Sequence, residues 1–345
     1  MRILPVKKPT SGGIILSYKC TGECRHCMYA CSPKWSDYWI PLTDLKVILE
    51  KLVEGFSDHD LGGIMGVNVG LHFTGGEPFL NYPLLLEAVR IASRLGFPLT
   101  FVETNCSWCI NEDLARKHFQ ELKEAGLDGM LVSANPFVVE HVPFENISRA
   151  LRIATEVFGA NKVIVYHPLF YESLKSLGVK GRISFEDYWR EMVERNSYLL
   201  ALSFSPSIVL PMGRLPYRLG HLYKRMPARA FFNENCLAEL TRPWHIHVDC
   251  YCNYIPGYCA GISLGDAREL ESIIAGVEVE DRPILKALAS SLRELYEFAV
   301  KEYGYKEDRY GYVSKCHLCV DIRRHIVERT REFKELKPEE FYQHL

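Results

Sequence analysis

One short segment indicates the fold and the chemistry of this chain: residues 17–27, with the sequence SYKCTGECRHC. Its cysteines, Cys20, Cys24 and Cys27, are separated by three and two residues and follow an apolar run that is typical of a buried β-strand. Three thiolates that converge from one short loop suit a cubic iron–sulfur cluster in which the protein binds three of the four irons. The fourth iron would then be open to another ligand.

Two other kinds of metal site fit this segment. Structural zinc usually has four closed ligands, commonly arranged as two well-separated pairs. A ferredoxin-type electron-transfer cluster is the other alternative, because the spacing of Cys24, Cys27 and Cys31 resembles the end of a bacterial ferredoxin run. Cys31 would then close the fourth position of the cluster.

The composition is that of an ordinary globular protein rather than a disordered or membrane-embedded chain. The 345 residues are 48% hydrophobic and 24% charged. The formal net charge of -2 gives no sign of a nucleic-acid partner or an anionic membrane surface. Twelve cysteines are too few for a disulfide scaffold, and the first residues show no signal-peptide pattern. We therefore expect a cytoplasmic protein whose thiols bind metal or take part in chemistry.

Short apolar runs alternate with helical patterns along the first 200 or so residues, which is typical of βα units on a parallel sheet. The predicted strands are residues 14–18, 67–73, 99–103, 129–133, 162–166 and 200–205. The helices between them are predicted at residues 42–56, 82–95, 111–125, 145–158 and 186–196. A complete eightfold barrel needs roughly 250 residues. The sequence therefore predicts an α/β fold built on a partial, TIM-like (β/α)6 barrel, with a doubly wound sheet as the alternative.

The alternation stops near residue 226, where cysteine, aromatic and turn residues become frequent. Helical patterns return at residues 266–275, 283–303 and 320–333. The sequence therefore predicts three parts: a barrel over residues 1–226, a smaller cysteine-rich domain over 227–325 and a helical tail over 326–345.

A second motif, Thr74-Gly75-Gly76-Glu77-Pro78, stands between the second predicted strand and the second predicted helix. Paired glycines let the backbone approach a ligand closely, while Glu77 and Pro78 fix the turn. A lone Gly-Gly pair is a weak signal. The full Gly-Gly-Glu-Pro sequence is a strong signal here, because it directly follows a predicted strand and lies about fifty residues after a three-cysteine loop.

On these two motifs the sequence resembles the radical SAM superfamily, over roughly its first 215 residues as fold. The resemblance implies that Cys20, Cys24 and Cys27 hold a 4Fe-4S cluster whose open iron is chelated by the amine and carboxylate of S-adenosylmethionine. It implies further that residues 75–77 accept hydrogen bonds from that amine, and that His26 lies against the adenine.

Other residues at predicted strand ends match the family's contacts to the ribose or the carboxylate more loosely: Thr104, Asn105, Ser133, Asn135, Gly213 and Arg214. Any Asn or Ser at a strand end is also simply a good turn residue, and that interpretation stays open. The reaction implied by the resemblance begins when an electron from the reduced cluster breaks a carbon–sulfur bond of the cofactor. The resulting 5′-deoxyadenosyl radical then removes a hydrogen atom from the substrate, and a reduced ferredoxin or flavodoxin is the implied electron donor.

The C-terminal region holds six cysteines: Cys236, Cys250, Cys252, Cys259, Cys316 and Cys319. Two cysteines near a predicted hairpin and a later Cys-x2-Cys pair look like the SPASM or twitch extension that carries an auxiliary 4Fe-4S cluster in many radical SAM enzymes. The ligand set that this resemblance implies is Cys236, Cys259, Cys316 and Cys319. A four-cysteine zinc site is the alternative. Cys252 stands where such hairpins usually have glycine, and either Cys250 or Cys252 would be able to replace Cys259 as a ligand.

Cys106 and Cys109 follow the third predicted strand, at the end where a barrel builds its active site. We predict that one of these thiols donates a hydrogen atom to a substrate radical, with the packing of two small residues as the alternative. Glu103 and His167 face the same mouth and are candidates for proton transfer.

The sequence thus predicts an enzyme that oxidises or remodels a carbon centre of its substrate, assisted by an auxiliary cluster. A peptide or protein side chain is the expected substrate, and a small alcohol or sugar is the alternative. Because the first strand begins by residue 14, we expect no obvious leader-binding domain before it, which weakens the hypothesis of a ribosomal peptide without excluding a leaderless or protein substrate. A non-catalytic iron–sulfur or zinc protein that transfers electrons is the alternative from another class.

Overall fold

The computed structural model describes residues 2–57 and 65–345. The chain folds into two compact units. The first comprises residues 10–24 and 31–209, and the second comprises residues 2–9, 25–30 and 210–345. The division into domains at residues 226 and 325 stays a prediction.

The described strands are short. In chain order they are β1 (Ile3–Leu4), β2 (Gly12–Ile15), β3 (Leu71–Thr74), β4 (Thr100–Thr104), β5 (Gly129–Ser133), β6 (Val163–Tyr166), β7 (Ile246–Val248), β8 (Tyr254–Ile255) and β9 (Val277–Glu278).

The described helices are, in chain order, α1 (Leu42–Ser57), α2 (Tyr82–Leu95), α3 (Glu112–Glu124), α4 (Pro136–Val139), α5 (Phe144–Phe158), α6 (Pro168–Ser176), α7 (Phe185–Ser203), α8 (Leu215–Leu219), α9 (Leu237–Thr241), α10 (Leu270–Ala275), α11 (Pro283–Ser290), α12 (Leu292–Tyr303) and α13 (Lys315–Val327). None in the described part of the chain is long and apolar enough to cross a lipid bilayer.

The first unit is built on parallel strands in the order β6-β5-β4-β3-β2, each paired with its neighbour in sequence. The predicted α/β class and parallel sheet are therefore confirmed. An apolar cluster lies against the sheet, formed by Met65, Leu99, Phe101 and Leu131 with Val67, Ile164 and Tyr166 packed on it. Because parallel strands all end at one edge, the segments after Thr74, Thr104, Ser133 and Tyr166 leave the sheet together.

The sixth predicted strand, residues 200–205, is wrong. The segment belongs to α7 (Phe185–Ser203), which continues past a kink at Asn196. There the Asn196 side chain accepts a hydrogen bond of 3.0 Å from the amide of Leu199 and so restarts the helix. The segment 200–205 begins with Leu-Ala-Leu and contains no β-branched residue, a composition that favours helix.

The second unit contains the predicted hairpin and most of the C-terminal cysteines. Strands β7 and β8 pair antiparallel, with His247 opposite Ile255. Cys252 in the connecting turn has a φ of 65°, the left-handed conformation that usually requires glycine. Cys252 therefore has the backbone conformation of the glycine that such hairpins usually carry at this position.

Helix α13 begins earlier than the sequence predicted. A helix was expected from residue 320, but Ser314 accepts a hydrogen bond of 3.1 Å from the amide of His317 and starts the helix at Lys315. As a consequence, Cys316 and Cys319 stand on the first turns of a helix rather than in the loop before it.

Candidate cofactor and cluster sites

The loop that carries the first cysteines is closed by backbone hydrogen bonds just after β2. The amide of Cys20 donates to the carbonyl of Ser32 at 3.2 Å, and the amide of Ser32 donates to the carbonyl of Tyr18 at 3.3 Å. Cys20 is buried, whereas Cys24 is partly exposed. These two backbone hydrogen bonds, rather than a helix or strand, hold the ends of the cysteine loop together.

The glycine motif lies against the segment that leads into this loop. The amide of Gly76 donates to the carbonyl of Ser17 at 2.8 Å, and the amide of Glu77 donates to the carbonyl of Lys19 at 3.0 Å. A Cβ at Gly76 would stand only 1.7 Å from the Lys19 carbonyl oxygen. Glycine is therefore required at position 76, because any side chain there would separate the motif from the chain that enters Cys20.

The Glu77 side chain holds the motif to the end of β4. Its Oε1 accepts hydrogen bonds from Thr104 Oγ1 at 2.9 Å and from the Phe79 amide at 3.2 Å, and its Oε2 accepts one from the Asn105 amide at 2.8 Å. Burial raises the pKa of this carboxyl to about 7, although the three hydrogen bonds oppose the shift. Pro78 opens the 3₁₀ turn that follows. The Glu77 carboxyl and the amides of Gly76 and Glu77 are thus used inside the protein, so this motif would meet a ligand with its backbone carbonyls.

Asn105 links the end of β4 to the first cysteine. Its Nδ2 lies 3.5 Å from Cys20 Sγ and donates to Thr21 Oγ1 at 3.0 Å. Its Oδ1 accepts a hydrogen bond from the Ser107 amide at 2.9 Å. An amide N–H directed at a cysteine sulfur stabilises the thiolate form that binds metal.

Ser133 and Asn135 stand after β5, as the sequence predicted, and have different roles in the fold. The buried Asn135 side chain accepts a hydrogen bond of 3.1 Å from the amide of Val138 and caps α4. This contact is the one expected of an Asn that acts as a turn residue after a strand. Ser133 is the last residue of β5 and is partly exposed at the edge where the strands end.

The predicted cofactor residues of the second unit surround Cys27. The amide of Arg214 donates to the Cys27 carbonyl at 3.1 Å, and its buried guanidinium donates to the carbonyls of Ala30 at 2.7 Å and His344 at 2.9 Å. Gly213 has a φ of 59°, and a Cβ there would stand 2.6 Å from the Cys27 carbonyl oxygen. Burial and then the charge of Arg214 lower the pKa of His26 to about 4, so that its imidazole is neutral near pH 7.

A polar group lies on one face of the parallel sheet, beside its apolar cluster. Thr74 Oγ1 donates to Glu103 Oε2 at 2.6 Å, and His72 Nε2 lies 3.8 Å from Glu103 Oε1. Burial raises the pKa of Glu103 to about 7. The Glu103 side chain is 25% exposed, so this carboxyl is able to exchange a proton near neutral pH with a bound molecule or solvent.

Cys106 and Cys109 are joined by a tight turn, in which the Cys109 amide donates to the Cys106 carbonyl at 3.1 Å. Both side chains are fully buried. Burial raises the pKa of Cys109 to about 11 and raises the pKa of Cys106 well above its ordinary value, so both are protonated thiols near neutral pH. Hydrogen-atom donation by either thiol stays a prediction.

The four cysteines predicted for the auxiliary cluster come together in the second unit: Cys236, Cys259, Cys316 and Cys319. The thiol of Cys236 interacts electrostatically with each of the other three, and the remaining pairs also interact with one another. Burial and this mutual repulsion raise the pKa of Cys259 to about 11 and of Cys316 to about 12. Holding all four groups as thiolates would therefore require a cation between them.

Hydrogen bonds on either side hold these cysteines in place. Lys315 Nζ donates to the Asn235 carbonyl at 3.1 Å and to Glu239 Oε1 at 2.6 Å, which fixes the start of α13 beside Cys236. Further along the same helix, Arg323 Nη1 donates to the Ala260 carbonyl at 3.0 Å. Sequence reasoning missed Arg323, although its position four residues after Cys319 places both on one helix face.

Cys250 and Cys252 lie in the hairpin turn and are both buried. Neither is among the groups that raise the pKa values of the four converging thiols. Across the described residues, no three Cys, His, Asp or Glu side chains have the arrangement that holds a single metal ion. Which of these cysteines bind a cluster stays a prediction.

Comparison with known families agrees with this geometry. Residues 14–172 match the model described as the radical SAM superfamily. The residues that this model matches contain the three-cysteine segment and the Gly-Gly-Glu-Pro motif.

Several solved structures are similar to the chain at low identity. BtrN in complex with AdoMet and 2-DOIA is 14% identical, with 78% of this chain and 82% of that chain covered at a TM-score of 0.42. Native anSMEcpe with bound AdoMet and Kp18Cys peptide is 12% identical, with 93% and 98% covered at a TM-score of 0.42. Streptococcus suis SuiB is 14% identical, with 88% and 77% covered at a TM-score of 0.36. Comparison with curated proteins finds no match.

Proposed function

We propose that this chain is a radical SAM enzyme in which Cys20, Cys24 and Cys27 bind a 4Fe-4S cluster and the Gly75–Glu77 backbone binds the amine of S-adenosylmethionine. The observation that carries the proposal is the contact of two motifs. The Gly-Gly-Glu backbone is hydrogen-bonded to Ser17 and Lys19, immediately before Cys20. These hydrogen bonds fix the separation between the Gly-Gly-Glu backbone and Cys20, the two places at which the cofactor and its cluster would be held.

The donor set fits such a cluster. Cysteine thiolates are the usual ligands of 4Fe-4S clusters, and the amide of Asn105 is directed at the sulfur of Cys20. When bound, the cluster would supply the electron that cleaves S-adenosylmethionine to a 5′-deoxyadenosyl radical. The protein's own contribution is to position the cofactor and to exclude water and oxygen from it.

The residues near the strand ends support further parts of this proposal. The neutral imidazole of His26 suits packing against an adenine ring, because burial of a charged ring there would be costly. Glu103, with a pKa of about 7, would accept or return a proton as the substrate is oxidised.

We also propose that Cys236, Cys259, Cys316 and Cys319 bind one auxiliary 4Fe-4S cluster. Support comes from the electrostatic repulsion between their thiolate forms, which metal binding would relieve. In this proposal the auxiliary cluster accepts an electron from the substrate radical or helps to position the substrate. A reduced ferredoxin or flavodoxin would supply the electron for the first cluster.

A peptide or protein side chain is the substrate that we propose, and a small alcohol or sugar is the alternative. Supplying candidates of each class to the reduced enzyme distinguishes them. Deuterium transfer from a labelled substrate carbon into 5′-deoxyadenosine would identify both the substrate and the abstracted atom. Transfer from a sugar or alcohol and not from any peptide would contradict the side-chain proposal.

The experiment that tests the proposed function starts from anaerobically purified protein with reconstituted clusters. Iron and sulfide are counted, and the protein is then incubated with dithionite and S-adenosylmethionine. We expect about eight irons per chain, as for two cubic clusters, together with formation of 5′-deoxyadenosine. A fully loaded protein that forms none would contradict the proposal, and zinc in place of half the iron would exclude the auxiliary cluster.

A further inference from the structure

The second unit contains a buried arginine without an ion-pair partner, beside the four converging thiols. Arg323 is 2% exposed. Within the described chain no carboxylate lies within ion-pair distance of it, and its Nε has no hydrogen-bond acceptor. A buried cation without a counter-charge is costly, so its presence calls for an anion at the same place.

The position of Arg323 follows from helix geometry. Cys316, Cys319 and Arg323 are spaced i, i+3 and i+7 along α13, which places them on one stripe of the helix. The guanidinium interacts electrostatically with the thiols of Cys319 and Cys259. The same arginine therefore faces two of the four cysteines, one from its own helix and one from the loop after the hairpin.

One nitrogen of the Arg323 guanidinium, Nη1, holds the head group in place. Its Nη1 donates to the Ala260 carbonyl at 3.0 Å and to Tyr342 Oη at 2.7 Å. Tyr342 Oη in turn donates to the Gly261 carbonyl at 2.6 Å. The guanidinium is thus fixed by the residues that directly follow Cys259, with Nε left over.

Other charged groups near the thiols differ from Arg323 in their surroundings. Lys315 interacts with Cys236 and Cys316, but it is partly exposed and already paired with Glu239 at 2.6 Å. Arg242 interacts with Cys259 and lies over the rings of Trp244 and Tyr258. Arg323 alone among these three cations is fully buried.

We propose that Arg323 is the charge partner of the auxiliary cluster and raises its reduction potential by directing its guanidinium at the cluster's sulfur atoms. This inference rests on the proposed function, because it requires that the four cysteines bind an iron–sulfur cluster. A cubic cluster with four cysteinate ligands is an anion, and each added electron increases its negative charge. A fixed positive charge beside it stabilises the reduced form more than the oxidised form.

The test uses full-length protein that carries Cys20→Ala, Cys24→Ala and Cys27→Ala, so that only the auxiliary cluster remains. Arg323→Gln removes the charge, Arg323→Lys keeps it, and Arg324→Gln removes the neighbouring arginine, which is exposed and paired with Glu328. Iron is counted, and the midpoint potential is measured by redox titration followed by electron paramagnetic resonance.

We expect about four irons in the parent and in Arg324→Gln, as for one cubic cluster. In Arg323→Gln the ratio of reduced to oxidised cluster should fall at least about tenfold at a fixed potential, a shift of about 59 mV for one electron. Arg323→Lys should lie between Arg323→Gln and the parent. If Arg323→Gln fails to hold iron while Arg323→Lys holds it, the required positive charge again supports the inference.

Two results would overturn it. The first is a fully loaded Arg323→Gln protein with an unchanged potential. The second is the loss of iron from Arg323→Lys as well as Arg323→Gln, which indicates a packing role. A parent protein that binds no iron at these cysteines would instead contradict the proposed auxiliary cluster, so the two failures are distinguishable.

Discussion

Thr104 Oγ1 donates a hydrogen bond of 2.9 Å to Glu77 Oε1 and joins the end of β4 to the Gly-Gly-Glu-Pro motif. The same hydroxyl accepts hydrogen bonds from the Cys106 amide and from Trp108 Nε1, both at 3.0 Å. One threonine thus connects the motif to the turn that carries the buried cysteine pair. Glu77 is 1% exposed, so no water replaces a partner that it loses.

Thr104→Val is therefore expected to lower the free energy of unfolding by about 2 kcal/mol, the usual cost of leaving a buried charged group short of a hydrogen bond. Denaturant unfolding of the cluster-free protein measures it. Thr104→Ser keeps the hydroxyl and serves as the matched control, with stability near that of the wild type. Equal stability of the valine and serine variants would show that the hydroxyl is not required.

The stability of the protein should depend on pH through Glu103. Burial raises the pKa of its carboxyl to about 7 in the folded protein, against an ordinary value of 4.5. Between these two values the unfolded chain releases the proton and the folded chain keeps it, so stability falls as pH rises from about 4.5 to about 7 and is then constant with respect to this group. The pKa of Glu77 is also raised to about 7, so this carboxyl lowers the stability over the same pH interval.

Glu103→Gln cannot ionise and should remove roughly half of that pH dependence. Denaturant midpoints of the wild type and the variant, measured between about pH 4.5 and pH 8, provide the comparison. A variant whose midpoints follow the wild-type slope across the whole interval would exclude a raised pKa at Glu103.

Asn105 should influence the first cluster through its contact with Cys20 Sγ, at 3.5 Å. Loss of an N–H donor from a ligand sulfur makes a cluster harder to reduce. In Asn105→Ala we expect unchanged iron content and about a tenfold less favourable reduction, the equivalent of one hydrogen bond to a charged group. Redox titration measures the change.

Asn111→Ala is the control for this variant, because Asn111 is an exposed cap of α3 that accepts a hydrogen bond from Leu114. Its potential should equal that of the wild type. An Asn105→Ala protein with the same potential as Asn111→Ala would show that the amide has no effect on the cluster.

The thiols of Cys106 and Cys109 should react slowly with alkylating reagents. Both are fully buried, and the pKa of Cys109 is raised from 9.0 to about 11, which lowers its thiolate fraction about a hundredfold. In cluster-free protein, peptide mapping after iodoacetamide treatment should find Cys24 labelled well before Cys109. Labelling of both at similar rates would contradict the burial of this pair.

Much of the parallel unit was predictable from local patterns. Strand β5 and helix α2 begin and end at the predicted residues, because each is an apolar run with clear turn signals on both sides. The structure of residues 200–205 was not predictable in this way. Their apolar pattern alone predicts a strand, but the hydrogen bond from the Leu199 amide to the Asn196 side chain starts a helix there. Local sequence cannot distinguish a helix restart from a new strand.

The candidate sites divide in a similar way. The resemblance to a SPASM or twitch extension grouped four thiols of the second unit, which lie up to 83 residues apart in the chain (236 to 319) and interact electrostatically in the fold. The role of the Glu77 carboxyl was not predictable, because its partners Thr104 and Asn105 reach it only through the pairing of β3 with β4. Tertiary contacts of this kind leave no local pattern.

The central claim is that two groups of cysteines hold two clusters with separate tasks. It is tested most directly by measuring iron and 5′-deoxyadenosine together in Cys24→Ala and Cys316→Ala, each reconstituted anaerobically and incubated with dithionite and S-adenosylmethionine. We predict that both variants lose about four irons, as for one cubic cluster, and that only Cys316→Ala still forms 5′-deoxyadenosine. Formation of 5′-deoxyadenosine by Cys24→Ala at the wild-type rate would contradict the account.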